Sequence, residues 1–94
     1  MPSIRARVLH AALVRMGFVP VNNKHVFYFH TIEGRRTGVR TMISHGEDEC
    51  REPLLHKMAR QLYLKRPELD SFVDGTMTPE DYLAILRAKG AIAQ

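Results

Sequence analysis

Apolar residues in the first part of the chain recur at helical spacing. Between residues 3 and 17 they lie three and four positions apart, which predicts an amphipathic helix. Ser3 is a suitable N-cap for this helix, and Gly17 stands where a helix-ending glycine belongs. The predicted apolar stripe consists of Ile4, Val8, Leu9, Ala12, Leu13 and Met16, and the opposite face carries Arg5, Arg7 and Arg15.

The pattern then changes to the alternation that is typical of β-strands. Residues 18–21 predict an edge strand, because Pro20 has no N–H to donate to a second neighbour. Residues 25–32 are rich in aromatic and β-branched side chains and predict a central strand. Residues 39–44 predict a third strand.

Turn residues separate these strands, and alternation assigns their side chains to two faces. Asn22 and Asn23 predict the first turn, and residues 33–38 predict a hairpin loop with glycines that can adopt positive φ. In the central strand, side chains two residues apart share a face. One face carries His25, Phe27 and Phe29, and the other carries Val26, Tyr28, His30 and Ile32.

The second half of the chain predicts helices. Residues 45–52 predict a polar loop, after which Pro53 occupies the first turn of a second helix. Pro67 opens a third helix that ends near Gly75, and Thr78 caps a fourth. The predicted order is α-β-β-β-α with a helical C-terminal extension. It indicates an α+β fold in which two helices cover one face of a three-stranded antiparallel sheet.

Composition and charge narrow the class of protein. The 94 residues are 45% hydrophobic and 26% charged, which is typical of one globular domain over residues 1–94. Residues 1–46 contain seven basic residues and one acidic residue, whereas residues 47–94 contain seven basic and nine acidic residues. This asymmetry favours an anionic partner for the first half. The single Cys50, and the lack of a signal-like or membrane-spanning apolar run, predict a cytoplasmic protein without a membrane partner.

Four segments, in order along the chain, resemble the HicA family of bacterial toxins. Gly17-Phe18 resembles the family's glycine–aromatic strand entry, and residues 23–29 (NKHVFYF) resemble its Gly-Ser-(Asn/His)-His segment and the strand behind it. Residues 42–45 (MISH) resemble the short strand that ends in a histidine, and residues 52–64 (EPLLHKMARQLYL) resemble the second helix. The resemblance covers about residues 4–65.

This resemblance implies a double-stranded-RNA-binding-domain-like fold, with a HicA-like core at residues 1–65 and an extension at residues 66–94. It further implies an mRNA-cleaving toxin, restrained by a HicB-like antitoxin, in which His25 performs the chemistry. An imidazole exchanges protons near neutral pH, and RNA supplies its own nucleophile, the 2′-OH. We therefore expect no cofactor and no metal. In this sequence Asn22-Asn23 replace the Gly-Ser that precedes the family's histidine.

Basic and polar residues of the predicted turns and strands are the expected RNA contacts. The predicted set is Asn22, Asn23, Lys24, Arg35, Arg36 and Arg40. Their arrangement at the predicted hairpin tip and the next strand suits phosphates across an RNA minor groove. Solvated surface cations are the simpler interpretation of the same residues. Tyr28 is the aromatic residue considered for stacking on bases.

The sequence is compatible with more than one role for its histidines and for the chain as a whole. His45 is either an assisting proton carrier or a loop cap, and His25 itself is either functional or a solvated residue at a strand start. A structural zinc site uses closely paired ligands, and the spacing of His45, Cys50 and His56 is not of this kind. Residues 47–49 predict a solvated acidic loop. The whole chain is either an RNA-cleaving enzyme, a non-catalytic RNA-binding module, or a protein-interaction module of the same fold.

Overall fold

The structure, a computed structural model, describes residues 3–46 and 48–93. Glu47, which belongs to the predicted acidic loop, lies outside the described residues, as do Met1, Pro2 and Gln94. Within residues 3–46 and 48–93, nine elements follow one another: β1 Ser3–Arg5, α1 Ala6–Arg15, β2 Phe18–Asn22, β3 His25–Ile32, β4 Arg35–Ser44, β5 Glu49–Arg51, α2 Glu52–Gln61, α3 Arg66–Asp74 and α4 Pro79–Ala88.

Strands β2, β3 and β4 form a three-stranded antiparallel sheet with β3 at its centre, as the sequence predicts. Strand β2 is an edge strand, and an edge position tolerates Pro20. The register pairs Phe18 with His30 and Val19 with Phe29, so successive residues of β2 face opposite sides of the sheet. The α+β fold class and the sheet are therefore confirmed.

One face of the sheet is covered by helices. The Tyr28 hydroxyl of β3 shares a 2.7 Å hydrogen bond with His10 of α1, and Thr41 of β4 donates a 2.7 Å hydrogen bond to Gln61 of α2. Both helices thus lie against the side of the sheet that carries the buried strand residues. Those residues are Phe18, Tyr28, His30, Val39, Thr41 and Ile43.

The two C-terminal helices belong to the same packed interior. The rings of Phe72 in α3 and Tyr82 in α4 lie 5.1 Å apart, and the Tyr82 ring lies 6.1 Å from that of Phe18. Tyr82 also donates a 3.0 Å hydrogen bond to the carbonyl of Leu62. The Phe72 carbonyl of α3 accepts a 2.8 Å hydrogen bond from the Arg15 guanidinium of α1. This arginine therefore satisfies a carbonyl near the end of a helix.

The N-terminus of α1 differs from the prediction. Ser3 is a strand residue whose hydroxyl donates to Glu49, and α1 begins at Ala6 without a side-chain cap. Strand β1 pairs with β5 in a separate two-stranded sheet, so the predicted polar loop at 45–52 contains a strand. Helical periodicity does not exclude a short strand whose partner lies about 45 residues away, because such pairing leaves no local signal.

The β3–β4 hairpin is also tighter than predicted. Its turn consists of Glu33 and Gly34 alone, both with positive φ, which matches the strand twist required of a two-residue hairpin turn. Strand β4 begins at Arg35, within the predicted loop. Gly38 has the expected positive φ, but it lies inside β4 beside a bulge that shifts the register between Phe29 and Thr31. The bulge absorbs residues that the sequence pattern assigns to a loop.

Candidate nucleic-acid interface

A row of rings runs along β3 on the sheet face opposite the helices. The His25 and Phe27 rings lie 6.2 Å apart in an edge-to-face arrangement, and the Phe27 and Phe29 rings lie 6.3 Å apart with only 26° between their planes. The guanidinium carbon of Arg36 lies 3.9 Å from the centre of the Phe29 ring, which is a cation–π contact. We call His25, Phe27 and Phe29 the ring row, and Arg36 lies against its Phe29 end.

Apolar side chains flank the ring row on both neighbouring strands. Val21 and Val19 of β2 pair with Phe27 and Phe29, and their exposed fractions are 36% and 48%. On β4, Met42 pairs with Phe27. The open face of the sheet is therefore apolar and aromatic at its centre, although no helix of the described residues covers it in the way that α1 and α2 cover the other face. Exposed apolar patches of this kind mark interaction surfaces.

His25 begins the central strand at one end of the row. Its carbonyl accepts a 3.0 Å hydrogen bond from the backbone N–H of Asn23, and Ser44 is its cross-strand partner. The residue is half-buried, and its Nδ1 atom is buried without a hydrogen-bond partner among the described residues. A buried ring nitrogen without a partner is unusual and calls for a functional explanation.

His45 lies close to the same turn. Its Nε2 atom is 2.8 Å from the carbonyl oxygen of Asn23. A carbonyl only accepts hydrogen bonds, so Nε2 carries the proton, and in the neutral imidazole Nδ1 is left as an acceptor. The bond ties the end of β4 to the β2–β3 turn. It is the loop-capping contact considered above, and it also brings both candidate histidines to one end of the sheet.

The expected RNA-contacting residues fall into two groups. Asn22, Asn23 and Lys24 lie in or next to the turn that precedes His25. Arg40 is paired with Phe29, which is four residues, or about 13 Å, along β3 from His25.

Arg35 lies farther from His25 still. It pairs with Ile32, seven residues or about 23 Å along the strand. The predicted arginine pair at the hairpin tip is wrong, because the tip is Glu33-Gly34 and Arg36 lies over Phe29.

Tyr28 does not lie on the open face. It is 2% exposed, and burial together with the nearby Cys50 thiol raises the pKa of its hydroxyl. His30, on the same side, donates to or accepts from Thr37 at 3.0 Å, and burial lowers its pKa. Of the aromatic residues of β3, only Phe27 and Phe29 are therefore placed to meet a ligand on the sheet surface.

The sequence does contain a signal for these two residues. Strand β3 has large apolar side chains on both faces, whereas a strand with one solvated face normally alternates apolar with polar residues. In a fold with helices on one face only, the second apolar set must lie outside the core. The position of Arg36 could not be inferred in this way, since it depends on the bulge in β4.

Concave regions of the surface lie elsewhere. One, of about 580 Å³, is lined by Arg5, Ala6, Arg7, Asp48 and Glu49. Another, of about 530 Å³, lies between the β3–β4 hairpin and the C-terminal residues Ile92 and Ala93, and Arg35 and Arg36 contribute to it. His25 lines neither. Within residues 3–46 and 48–93, no three His, Cys, Asp or Glu side chains are grouped so that they could hold a metal ion.

Comparison with protein-family models, with curated proteins and with solved structures gives no match for this chain. In the described part of the chain, no helix has both the length and the apolar character that crossing a bilayer requires.

Proposed function

We propose that this protein is a metal-independent endoribonuclease that acts on mRNA, with His25 as its proton-transferring residue. The observation that carries the proposal is the position of His25. It begins the central strand, on the open face of the sheet, in line with the half-buried rings of Phe27 and Phe29, and the turn before it is bonded to His45. The resemblance of residues 4–65 to HicA toxins supports the same residue independently of this geometry.

The chemistry requires no group beyond the substrate and the protein. His25 accepts the proton of a ribose 2′-OH, and O2′ then attacks the adjacent phosphorus. The bond from phosphorus to O5′ breaks, which leaves a 2′,3′-cyclic phosphate and a 5′-hydroxyl after O5′ takes up a proton. In this proposal His45, whose Nε2 is bonded to the Asn23 carbonyl, either supplies that proton or holds the turn before His25.

Cationic residues stabilise the phosphates in this proposal. Lys24 adjoins His25 in the chain and is the cation assigned to the reacting phosphate. Arg36 and Arg40 lie beside Phe29 and would neutralise phosphates about two residues of extended RNA away from the cleaved bond. Residues 18–44 contain four basic residues and one acidic residue, so the sheet as a whole attracts a polyanion.

Replacement of His25 tests the proposal. His25→Ala should lower the rate of cleavage of a single-stranded RNA in the presence of EDTA by at least about 100-fold, because general acid–base catalysis contributes factors of this size. His56→Ala, which removes an exposed histidine from α2, is the matched control and should cleave normally. Undiminished cleavage by His25→Ala, or a product without a cyclic phosphate end, contradicts the proposal.

A second candidate function is RNA binding without cleavage. It is favoured by the unpartnered Nδ1 of His25, since no hydrogen bond from the described residues to this nitrogen orients the ring for proton transfer. In this case the wild-type protein leaves RNA intact but binds it. The affinity should then fall with salt, with a log–log slope of about −0.7 for each phosphate contact on a single strand.

The resemblance also implies a HicB-like antitoxin as partner. We propose that such a protein acts by covering the open face and His25, because this is where exposed apolar residues and the candidate site coincide. Production of the isolated protein should arrest bacterial growth, and production together with a HicB-like protein encoded in the adjacent reading frame should relieve the arrest. Growth arrest that is unaffected by His25→Ala separates toxicity from cleavage.

A further inference from the structure

The spacing of the ring row bears on the form of RNA that the open face can bind. We infer that the face binds single-stranded RNA, with one base stacked on Phe27 and the next on the Arg36–Phe29 pair. This inference rests on RNA being the ligand in the proposed function. It adds the strandedness of the substrate and the residues that position it.

The distance between the rings does not match that between stacked consecutive bases. Adjacent bases along one strand of a B-form duplex are separated by about 3.4 Å along its axis. The Phe27 and Phe29 rings are 6.3 Å apart, close to the spacing of alternate residues on one face of a strand. Rings at this distance match bases that have been separated from one another, which occurs in single-stranded segments. Sheet-surface aromatics that stack two or three splayed bases are an established mode of RNA recognition.

The two stacking positions differ chemically. Phe27 has aromatic neighbours on either side and Val21 and Met42 as cross-strand partners, so it offers an apolar ring to a base. At Phe29 the guanidinium of Arg36 already covers one face of the ring at 3.9 Å. A base at this position stacks on the guanidinium plane, which arginine supports and lysine does not. The arginine also supplies charge for the adjoining phosphate.

Charge favours RNA over a second copy of this chain as the occupant of this face. The residues of β2, β3 and β4 and their turns contain Lys24, Arg35, Arg36 and Arg40 against the single acid Glu33. Of these, Arg36 is in direct contact with the ring row, and Arg40 is the cross-strand partner of Phe29. A second copy of this chain would bring two such basic faces together, and the repulsion opposes that alternative.

The experiment measures binding separately from cleavage. A fluorescent 12-nucleotide RNA with 2′-O-methyl riboses cannot be cut through a 2′-OH, and its affinity is compared with that of the same sequence as a duplex. Phe27→Leu and Phe29→Leu should each weaken single-strand binding about 5- to 150-fold, as loss of base–aromatic stacking does. Phe27→Tyr should restore binding to within about twofold of the wild type.

Two matched variants refine the test. Arg36→Lys retains the charge but not the planar group, so it should weaken single-strand binding without abolishing it. Tyr63→Leu removes an aromatic ring that is 42% exposed but lies at the end of α2, and it should bind as the wild type does. Circular dichroism and thermal melting check that every variant is folded. At residue 27, Phe27→Leu removes the ring and Phe27→Tyr keeps it, so a difference in binding between these two folded variants is due to the ring.

The outcomes separate this inference from the proposed function. Equal binding of duplex and single strand, wild-type affinity of Phe27→Leu, or no binding of single-stranded RNA overturns the stacking inference, whether or not RNA is cleaved. Single-strand binding that depends on Phe27, without any cleavage of unmodified RNA, supports the stacking inference and overturns the endonuclease. A dimer in sedimentation that Phe27→Leu converts to monomer would assign the face to self-association and overturn the inference.

Discussion

The polar groups on the two faces of β3 differ in whether they have hydrogen-bond partners. On the helix-covered face, the Tyr28 hydroxyl is bonded to His10 and the His30 ring is bonded to Thr37. On the open face, the buried Nδ1 of His25 has no hydrogen-bond partner among the described residues, and the Arg36 guanidinium lies on the Phe29 ring. Side chains that alternate along one strand thus belong to two different environments.

This difference separates stability from function. Buried polar groups that find partners contribute to a unique packed state, whereas an unpartnered polar group costs free energy unless a ligand supplies the missing contact. We therefore expect substitutions on the covered face to change the free energy of unfolding, and substitutions on the open face to change binding and cleavage. Three measurements of stability test this division, in decreasing order of expected effect.

The largest effect is expected in the aromatic cluster of the covered side. Phe72→Ala should lower the free energy of unfolding by about 3–5 kcal/mol, since Phe72 is fully buried between Phe18 and Tyr82. Phe27→Ala on the open face should cost less than about half as much, because its ring is only half-buried. Urea denaturation measures both. Equal losses would show that the open face is part of the folding core.

A smaller effect is expected on acidification. Burial lowers the pKa of His30 below its ordinary value of 6.5, so between the two pKa values the unfolded chain binds more protons than the folded protein. Stability contributed by neutral His30 is complete above about pH 6.5 and falls as the pH decreases below it. His30→Gln should reduce the slope of melting temperature against pH between 6.5 and 4.5. His25→Gln serves as the open-face comparison, and an unchanged slope in His30→Gln would contradict the assignment.

The smallest effect is expected from single hydroxyl groups. Tyr28→Phe removes the hydrogen bond to His10 and should cost about 0.5–1.5 kcal/mol. Phe27→Tyr adds a hydroxyl on the open face, where water can solvate it, and should change stability by less than about 0.5 kcal/mol. Thermal melting of the two variants provides the comparison. A larger loss from Phe27→Tyr than from Tyr28→Phe would mean that the two faces are assigned incorrectly.

Much of the fold was predictable because its signals are local. The bounds of β3, the edge position of β2 and the third and fourth helices follow from alternation, proline and capping residues near each element. The errors lie where pairing is distant or irregular. Strand β1 forms only because β5 is available about 45 residues later, and β4 begins early only because a bulge accommodates extra residues.

Alternation predicts which residues of the candidate site share a face, but not how far apart they lie. Alternation alone places His25, Phe27 and Phe29 on one face, and the resemblance to HicA selects His25 among five histidines. The distances of the arginines from His25 did not follow from the pattern. Register places Arg40 and Arg35 about 13 and 23 Å along the strand, and a sequence pattern cannot specify register across a bulge.

The sequence by itself thus determined the α+β class, the alternation along β3 and the basic character of the first half. These depend on properties of neighbouring residues, namely side-chain periodicity, backbone preference and charge. Only the tertiary structure decided which face of β3 the helices cover, and that Arg36 lies on Phe29 while His45 meets the turn before His25. Those contacts arise from strand register and helix packing, which depend on residues far apart in the chain.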